Sequence, residues 1–299
     1  MTDPWRHHFS PVFYLKGWCD ASGMLVQYSR PYKEVVARQV SPTATGFQPF
    51  LYTLEGQVDD KKQSIEKDYM APIVDNPAAH ALRILMGGDR EALDEKARNA
   101  WTRFLSASLL RRPQAVSELG DAFKDVLQRN LLDDAVSYEA MKEDGDPPTA
   151  FEWLTKHHPY YVEDAAKQMV VRAIEHEGIG NIIINMQWST LDLSASRNEL
   201  LTADMPHLRF YGLKDQRCTL LFPLNPEKVF IATHDRKSEG LLIRRNPTEV
   251  VRWLNDNLVR IAEKYVYGRT KSQLRFVENR LGRFPISKLL GDMEQESPE

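Results

Sequence analysis

The sequence is poor in cysteine. Cys19 and Cys218 are the only two in 299 residues, which excludes a dense disulfide scaffold and a four-cysteine zinc module. Long hydrophobic runs are missing as well. Stretches such as Ile182-Ile183-Ile184 fall far short of the roughly 20 residues a membrane helix needs, so no membrane association is expected. No glycine-rich phosphate loop follows a strand pattern, no Gly-x-Ser-x-Gly elbow occurs, and no histidine pair four apart encloses a glutamate. Charge of one sign is also lacking: 39 Lys and Arg face 42 Asp and Glu, a formal −3. A protein that wraps long nucleic acid is usually more basic. The first residues, Met1-Thr2-Asp3-Pro4-Trp5-Arg6, carry no basic stretch followed by an apolar run. The expected compartment is therefore the cytoplasm.

What is present is the composition of a folded globule, with 42% hydrophobic and 27% charged residues. Met24 to Tyr28, Val35 to Val40 and Phe47 to Leu54 read as strands bounded by turn residues. Asp75-Asn76-Pro77 reads as a helix start, with a cap residue before a proline suited to the first turn. Two helical stripes follow, Ala97-Trp101-Phe104-Leu105 and Val116-Leu119-Phe123-Val126-Leu127. Residues 133–165 hold nine acids opposed by Lys142 and Lys156, broken by Gly145 and Pro147-Pro148, which reads as an exposed loop. A helix resumes near Val162. Strand character returns from about Ser189 to Thr233, and Asn246-Pro247-Thr248-Glu249 opens a last helix. This order predicts an α+β fold. A mixed or antiparallel sheet draws on the N- and C-terminal segments, with a central helical layer between them. The expected organisation is one large domain over 1–290, a mainly helical subregion at 60–180, and a flexible acidic tail at 291–299.

Several residues can carry chemistry. His8 can act as base, acid or metal ligand, or simply bond to the sheet. Asp204, before Met205-Pro206, can orient a base, hold a cation or cap a turn. Glu66 lies on a predicted helix, where most glutamates face solvent. Arg111-Arg112-Pro113 ends a helix, where basic residues suit the dipole, and Arg112 can instead clamp an anion bidentately. Asn257 sits at the margin of a buried stripe and needs partners. His157-His158 and Glu175-His176-Glu177 read as solvated surface, and Cys218 as a small core residue. Residues 236–288 carry thirteen Lys or Arg against five acids. With Trp253, Tyr265, Tyr267 and Phe276 among them, they either dock an anionic partner such as nucleic acid or balance acids elsewhere in the molecule.

Taken together, His8-Phe9-Ser10-Pro11 with Tyr14-Leu15, then Arg111-Arg112-Pro113, Trp188, and Leu201-Thr202-Ala203-Asp204-Met205-Pro206, form an ordered set. Pro223-Leu224, and Asn257 followed by Ala262-Glu263-Lys264-Tyr265, complete it. This set resembles the bacterial family known as domain of unknown function 4238. Alanine at position 203 replaces the serine of the family pattern. The resemblance implies that His8 and Asp204 matter together, and it implies no activity.

The chemical expectation is a hydrolase or nuclease acting on a phosphodiester. His8 would be base or ligand, Asp204 would orient it or hold a divalent cation, and Arg112 would stabilise negative charge. Glu66 would be a second carboxylate, and Asn257 and Trp188 would contact the ligand. The competing expectations are a non-catalytic interaction or nucleic-acid-binding module of a bacterial stress or phage response, acting through residues 236–288, and a small-molecule binder using Trp188 and Tyr211.

Overall fold

The computed structural model describes residues 5–88 and 93–283. The acidic tail at 291–299, and the end of the basic stretch at 284–288, lie outside the described residues.

Among the described residues, ten strands form three antiparallel sheets. In chain order they are β1 (Arg6–His8), β2 (Leu25–Ser29), β3 (Val36–Val40), β4 (Phe47–Pro49), β5 (Gln187–Asp192), β6 (Thr202–Ala203), β7 (Leu208–Phe210), β8 (Thr219–Asn225), β9 (Lys228–Thr233) and β10 (Tyr265–Gly268). β1 pairs only with β4. The second sheet runs β3-β2-β10-β6 and the third β5-β9-β8-β7. The second sheet joins the two ends of the chain, as expected: Val266 opposes Tyr28 on one side and Ala203 on the other. The fold is α+β, with helices filling most of 76–185.

The helical layer is anchored by aromatic packing. The helix Glu95–Leu110 starts on Asp94, whose carboxylate accepts from the Ala97 amide at 2.8 Å. Its stripe buries Trp101 and Phe104 completely. Their rings meet Phe222 of β8 at 5.6 and 5.7 Å. Each such ring stabilises the fold by roughly 1.5–3 kcal/mol through burial. This contact fixes the height of the helix against the sheet, so its last turn delivers Ser108, Arg111 and Arg112 into the interior.

The segment after His8 is held as firmly. The amides of Phe9 and Ser10 both donate to the carbonyl of Gly46, at 2.8 and 3.0 Å. Gly46 has φ +65°, and a Cβ there would stand 2.7 Å from Ser10 Cβ. Only glycine meets both demands. Pro11 then precedes the short helix Val12–Leu15, which buries Tyr14 and Leu15. Tyr14 Oη donates to the Pro223 carbonyl at 2.9 Å and bonds Thr202 Oγ1 at 2.7 Å, tying the first motif to β6 and β8.

Two local expectations are corrected. Residues 133–165 are not an exposed loop but carry the helices Ala135–Met141, Ala150–His157 and the start of Tyr161–Ile174. The second is set by a reciprocal cap. Thr149 Oγ1 accepts from the Glu152 amide, and the Glu152 carboxylate accepts from the Thr149 amide. Nor is Asp75-Asn76-Pro77 a capped helix start. An eleven-residue π-helix, Ile65–Asp75, runs straight into the α-helix Asn76–Gly87, and the Asp75 side chain accepts no capping bond. Pro72 lies inside the π-helix. In an α-helix its ring would clash with the carbonyl four residues back, and wider winding relieves that clash.

Candidate functional site

Arg111 and Arg112 follow one another at the end of the helix Glu95–Leu110, and both are buried. The backbone leaves the helix between them: Arg111 is near-helical at φ −84°, and Arg112 is extended at φ −70°, ψ 145°. They serve two different polar groups.

Arg111 is wholly buried, and its Nη1 donates to Asp75 Oδ1 at 2.9 Å. Its guanidinium carbon lies 5.5 Å from the centre of the Phe104 ring. The phenol of Tyr52 donates to its carbonyl. The charge of Arg111 acts on His8, Tyr52, Glu66 and Asp75. The unmatched atoms are informative. Arg111 Nε and Nη2, Glu66 Oε2 and His8 Nε2 are all buried without a hydrogen-bond partner. Nε and Nη2 form one edge of the guanidinium, the edge that grips two oxygens of a carboxylate or phosphate at once. A buried donor edge without an acceptor costs free energy, and a ligand oxyanion would satisfy it.

The two titrating members are pushed apart. Burial and the nearby Asp75 carboxylate raise Glu66 to about 7, against the pull of Arg111. Burial, together with the charges of Arg111 and Arg6, lowers His8 below its ordinary value, while the carbonyls of Thr43 and Arg6 pull the other way. Near neutral pH, Glu66 can give a proton and His8 can take one.

His7 has a different task. Its Nδ1 accepts from the Tyr52 amide at 2.8 Å, so the proton sits on Nε2, which donates to Gln63 Oε1 at 2.8 Å. Gln63 in turn donates to Thr53 Oγ1. The ring stacks on Tyr52, 5.5 Å away and nearly parallel. Neighbouring strand residues face opposite ways, so a pinned His7 fixes the side on which His8 emerges.

Arg112 faces the second group. It forms an ion pair with Glu263, its Nε donates to the Leu109 carbonyl, and the charges of Asp204 and Glu118 act on it. Asp204 is 3% exposed and accepts from three amides: Glu263 at 3.0 Å, Lys264 at 2.7 Å and Tyr265 at 2.8 Å. Burial raises it to about 6 against those bonds and Arg112. No hydrogen bond, ion pair or ring contact joins His8 to Asp204 among the described residues. His207 lies between the two arginines electrostatically. Burial, then Arg112 and Arg111, push it down to about 3. Its Nε2 bonds Ser108 Oγ, and its Nδ1 is buried without a partner.

The other expected positions are placed as follows. Trp188 packs edge-on to Phe230 under the guanidinium of Arg98, and its Nε1 donates to the Ile183 carbonyl. Asn257 donates back to the Trp253 carbonyl, one turn earlier. The buried amide of that helix is Asn255, which accepts from the Leu201 amide and donates to the Glu199 carbonyl. Within the basic stretch, three arginines have acidic partners. Arg260 and Arg280 pair with Asp256, and Arg269 with Glu199 and Glu227.

Sequence reasoning missed Arg111, Asp75 and Asn255. Two arginines in succession after an apolar stripe are a usable signal, because both cannot reach solvent when the stripe is buried to its end. Asp75 was hidden by its Asp-Asn-Pro context.

An open groove of about 950 Å³ lies elsewhere, lined by Phe123, His157, His158, Tyr161, Asp164, Arg172 and His176 among others. None of His8, Glu66 and Arg111 lines it. Three of its polar groups have local work: Asp164 accepts from the amides of Glu55 and Gly56, and His157 and His176 bond their own helices. The Arg111 cluster, with unmet donors and acceptors, is the stronger candidate. Among the described residues no three His, Cys, Asp or Glu side chains converge to hold a metal ion, and no helix is long and apolar enough to cross a membrane.

Comparison with known proteins gives one match. The family described as Protein of unknown function (DUF4238) matches residues 6–272. No curated protein and no solved structure matches.

Proposed function

The chain belongs to the DUF4238 family, so its chemistry has to be read from its own side chains, and on that footing we propose a hydrolase acting on a phosphodiester at the Arg111 cluster. The observation that carries this reading is the buried Nε–Nη2 edge of Arg111, unpaired beside a carboxyl raised to about 7 and a lowered imidazole.

In this reading the edge grips two non-bridging phosphate oxygens and stabilises the charge that grows on them. His8 Nε2 takes a proton from the attacking water. The new P–O bond forms as the bond to the leaving oxygen breaks, and Glu66 Oε2 gives that oxygen its proton. The products are a phosphomonoester and an alcohol. Asp75, the ion-pair partner of Arg111, has a side chain that is 22% exposed. Asp204 and Arg112 hold the 262–265 turn and contribute through structure. The setting is the cytoplasm, where Cys19 and Cys218, which form no disulfide, stay reduced.

The test is hydrolysis of bis(4-nitrophenyl) phosphate and of a short oligonucleotide, with and without added divalent cation. His8→Ala and Glu66→Gln should each lose about 10²–10⁴-fold in kcat, the usual weight of general acid–base groups. Unchanged turnover in both folded variants would reject the assignment. Arg111→Lys keeps the charge and loses the fork, and should raise KM as well as lower kcat.

A further inference from the structure

The ribbon of β1 and β4 carries more exposed aromatic surface than its own packing uses. Arg6 and His8 fall on one face of β1, two residues apart, and His7 on the other. His8 opposes Phe47 of β4, with ring centres 5.5 Å apart. Phe47 also meets Trp5 edge-on at 5.8 Å. The guanidinium of Arg6 sits between those two rings, 4.6 Å from Trp5 and 5.1 Å from Phe47. One Arg6 N–H group bonds the Thr43 carbonyl, and its other donors meet no protein acceptor among the described residues. A continuous row therefore runs from His8 through Phe47 and Arg6 to Trp5, which is 45% exposed.

Phe50 extends the row. Its amide donates to the Trp5 carbonyl at 3.0 Å, so it stands beside Trp5. Its φ is +57°, in the left-handed region, where a bulky side chain is strained. The turn needs that conformation, because it sends the Tyr52 amide onto His7. Glycine would supply it at lower cost. The ring recovers little by burial, being 54% exposed, and no ring or cation covers it among the described contacts. Tyr211, the other non-glycine residue with positive φ among those described, differs: Arg217 lies 4.2 Å over its ring.

We propose that Trp5, Phe47 and Phe50, with Arg6, form a stacking platform for the unpaired bases of a single-stranded polynucleotide whose backbone reaches the Arg111 site. The proposal rests on the phosphodiester reading for the direction in which the strand runs. The exposed rings of Trp5 and Phe50, with half-buried Phe47 and a guanidinium between them, take up bases of any sequence, and the cation takes up backbone charge. A duplex hides its base faces and cannot use the platform. The strand enters over the ribbon, and His8, at the inner end of the row, meets its phosphate.

The test is equilibrium binding of fluorescein-labelled dT12, rU12 and a 12-base-pair duplex to the full chain by anisotropy, at fixed salt. Binding does not depend on turnover, so it separates this proposal from the hydrolase reading. The single strands should bind about tenfold tighter than the duplex, and Phe50→Gly and Trp5→Ala should each weaken them by about tenfold. The first variant relieves backbone strain, so its loss of affinity cannot be assigned to misfolding. Equal affinity for strand and duplex, or affinity that both variants leave unchanged, would overturn the platform, as would an absence of nucleic-acid binding. The dT12 and rU12 arms distinguish DNA from RNA. Oligonucleotide bound through Trp5 and Phe50 but not cleaved would leave the platform standing and reject the hydrolase.

Discussion

Glu66 and Asp75 stand nine residues apart, and both act on the single guanidinium of Arg111. An α-helix of about 3.6 residues per turn would send them to opposite faces. The helix between them is wound as a π-helix, with roughly four and a half residues per turn, so nine residues make close to two whole turns. The winding places like charges side by side, and burial, with that repulsion added, raises Glu66. An unusual backbone thus holds a buried carboxyl whose pKa lies near neutrality.

The first expectation concerns this pair. Asp75→Asn removes the negative neighbour, so the Glu66 pKa should fall from about 7 toward the ordinary carboxylate range. A rate profile for diester hydrolysis should be bell-shaped, rising as His8 loses its proton and falling as Glu66 ionises. In Asp75→Asn the alkaline limb should move to lower pH while the acid limb stays. An alkaline limb that does not move would show that Glu66 is not the acid.

Asp204 gives a second. Its carboxylate holds three amides of the 263–265 turn. Asn offers one acceptor oxygen and an unwanted donor, so Asp204→Asn should cost roughly 1–3 kcal/mol in chemical denaturation. Turnover per folded molecule should stay within a few-fold of the parent. A loss of a hundredfold or more in fully folded protein would return Asp204 to the reaction itself.

Phe50 gives a third, read by thermal unfolding. Phe50→Gly and Phe50→Ala both remove the ring, and only glycine suits φ +57°. The glycine variant should be more stable than the alanine variant by about 1 kcal/mol. That is about 1.5–2 °C in Tm at this chain length. Equal midpoints would show that the turn carries no strain.

His207 gives a fourth. Its folded pKa lies near 3, well below the usual 6.5, so the unfolded chain binds the extra proton. The stability this contributes is complete above about pH 6.5 and is lost as pH falls toward 3. His207→Leu should reduce proton uptake on unfolding in that window by about one. Denaturant midpoints measured from pH 4 to 7 would show a shallower slope, and an unaltered slope would contradict the placement of the ring.

Much of the framework was legible because it is local. The stripe Ala97-Trp101-Phe104-Leu105 and the start at Asn246-Pro247 state their own periods and caps, and the structure has the helices Glu95–Leu110 and Pro247–Ile261. Tyr14 and Leu15 anchor the first motif because large apolar groups must be buried somewhere. The acidic stretch at 133–165 misled because charge resembles a loop, although a reciprocal cap at Thr149 and Glu152 can start a helix within it.

By itself, then, the sequence determined the α+β class, the helix start at Asn246-Pro247 and the presence of a histidine–proline segment with buried neighbours. Only the tertiary structure decided that the charge of Arg111 acts on Glu66, that Asp75 is the ion-pair partner of Arg111, and that Asp204 is taken up by backbone amides. Partners such as Asp75 and Arg111 are 36 residues apart, and their meeting depends on a π-helix turning at its own pitch and on aromatic rings setting the height of a helix on a sheet. Helical and strand periods report which side of an element is apolar, whereas the pairing of buried charges follows from how whole elements come to rest against one another.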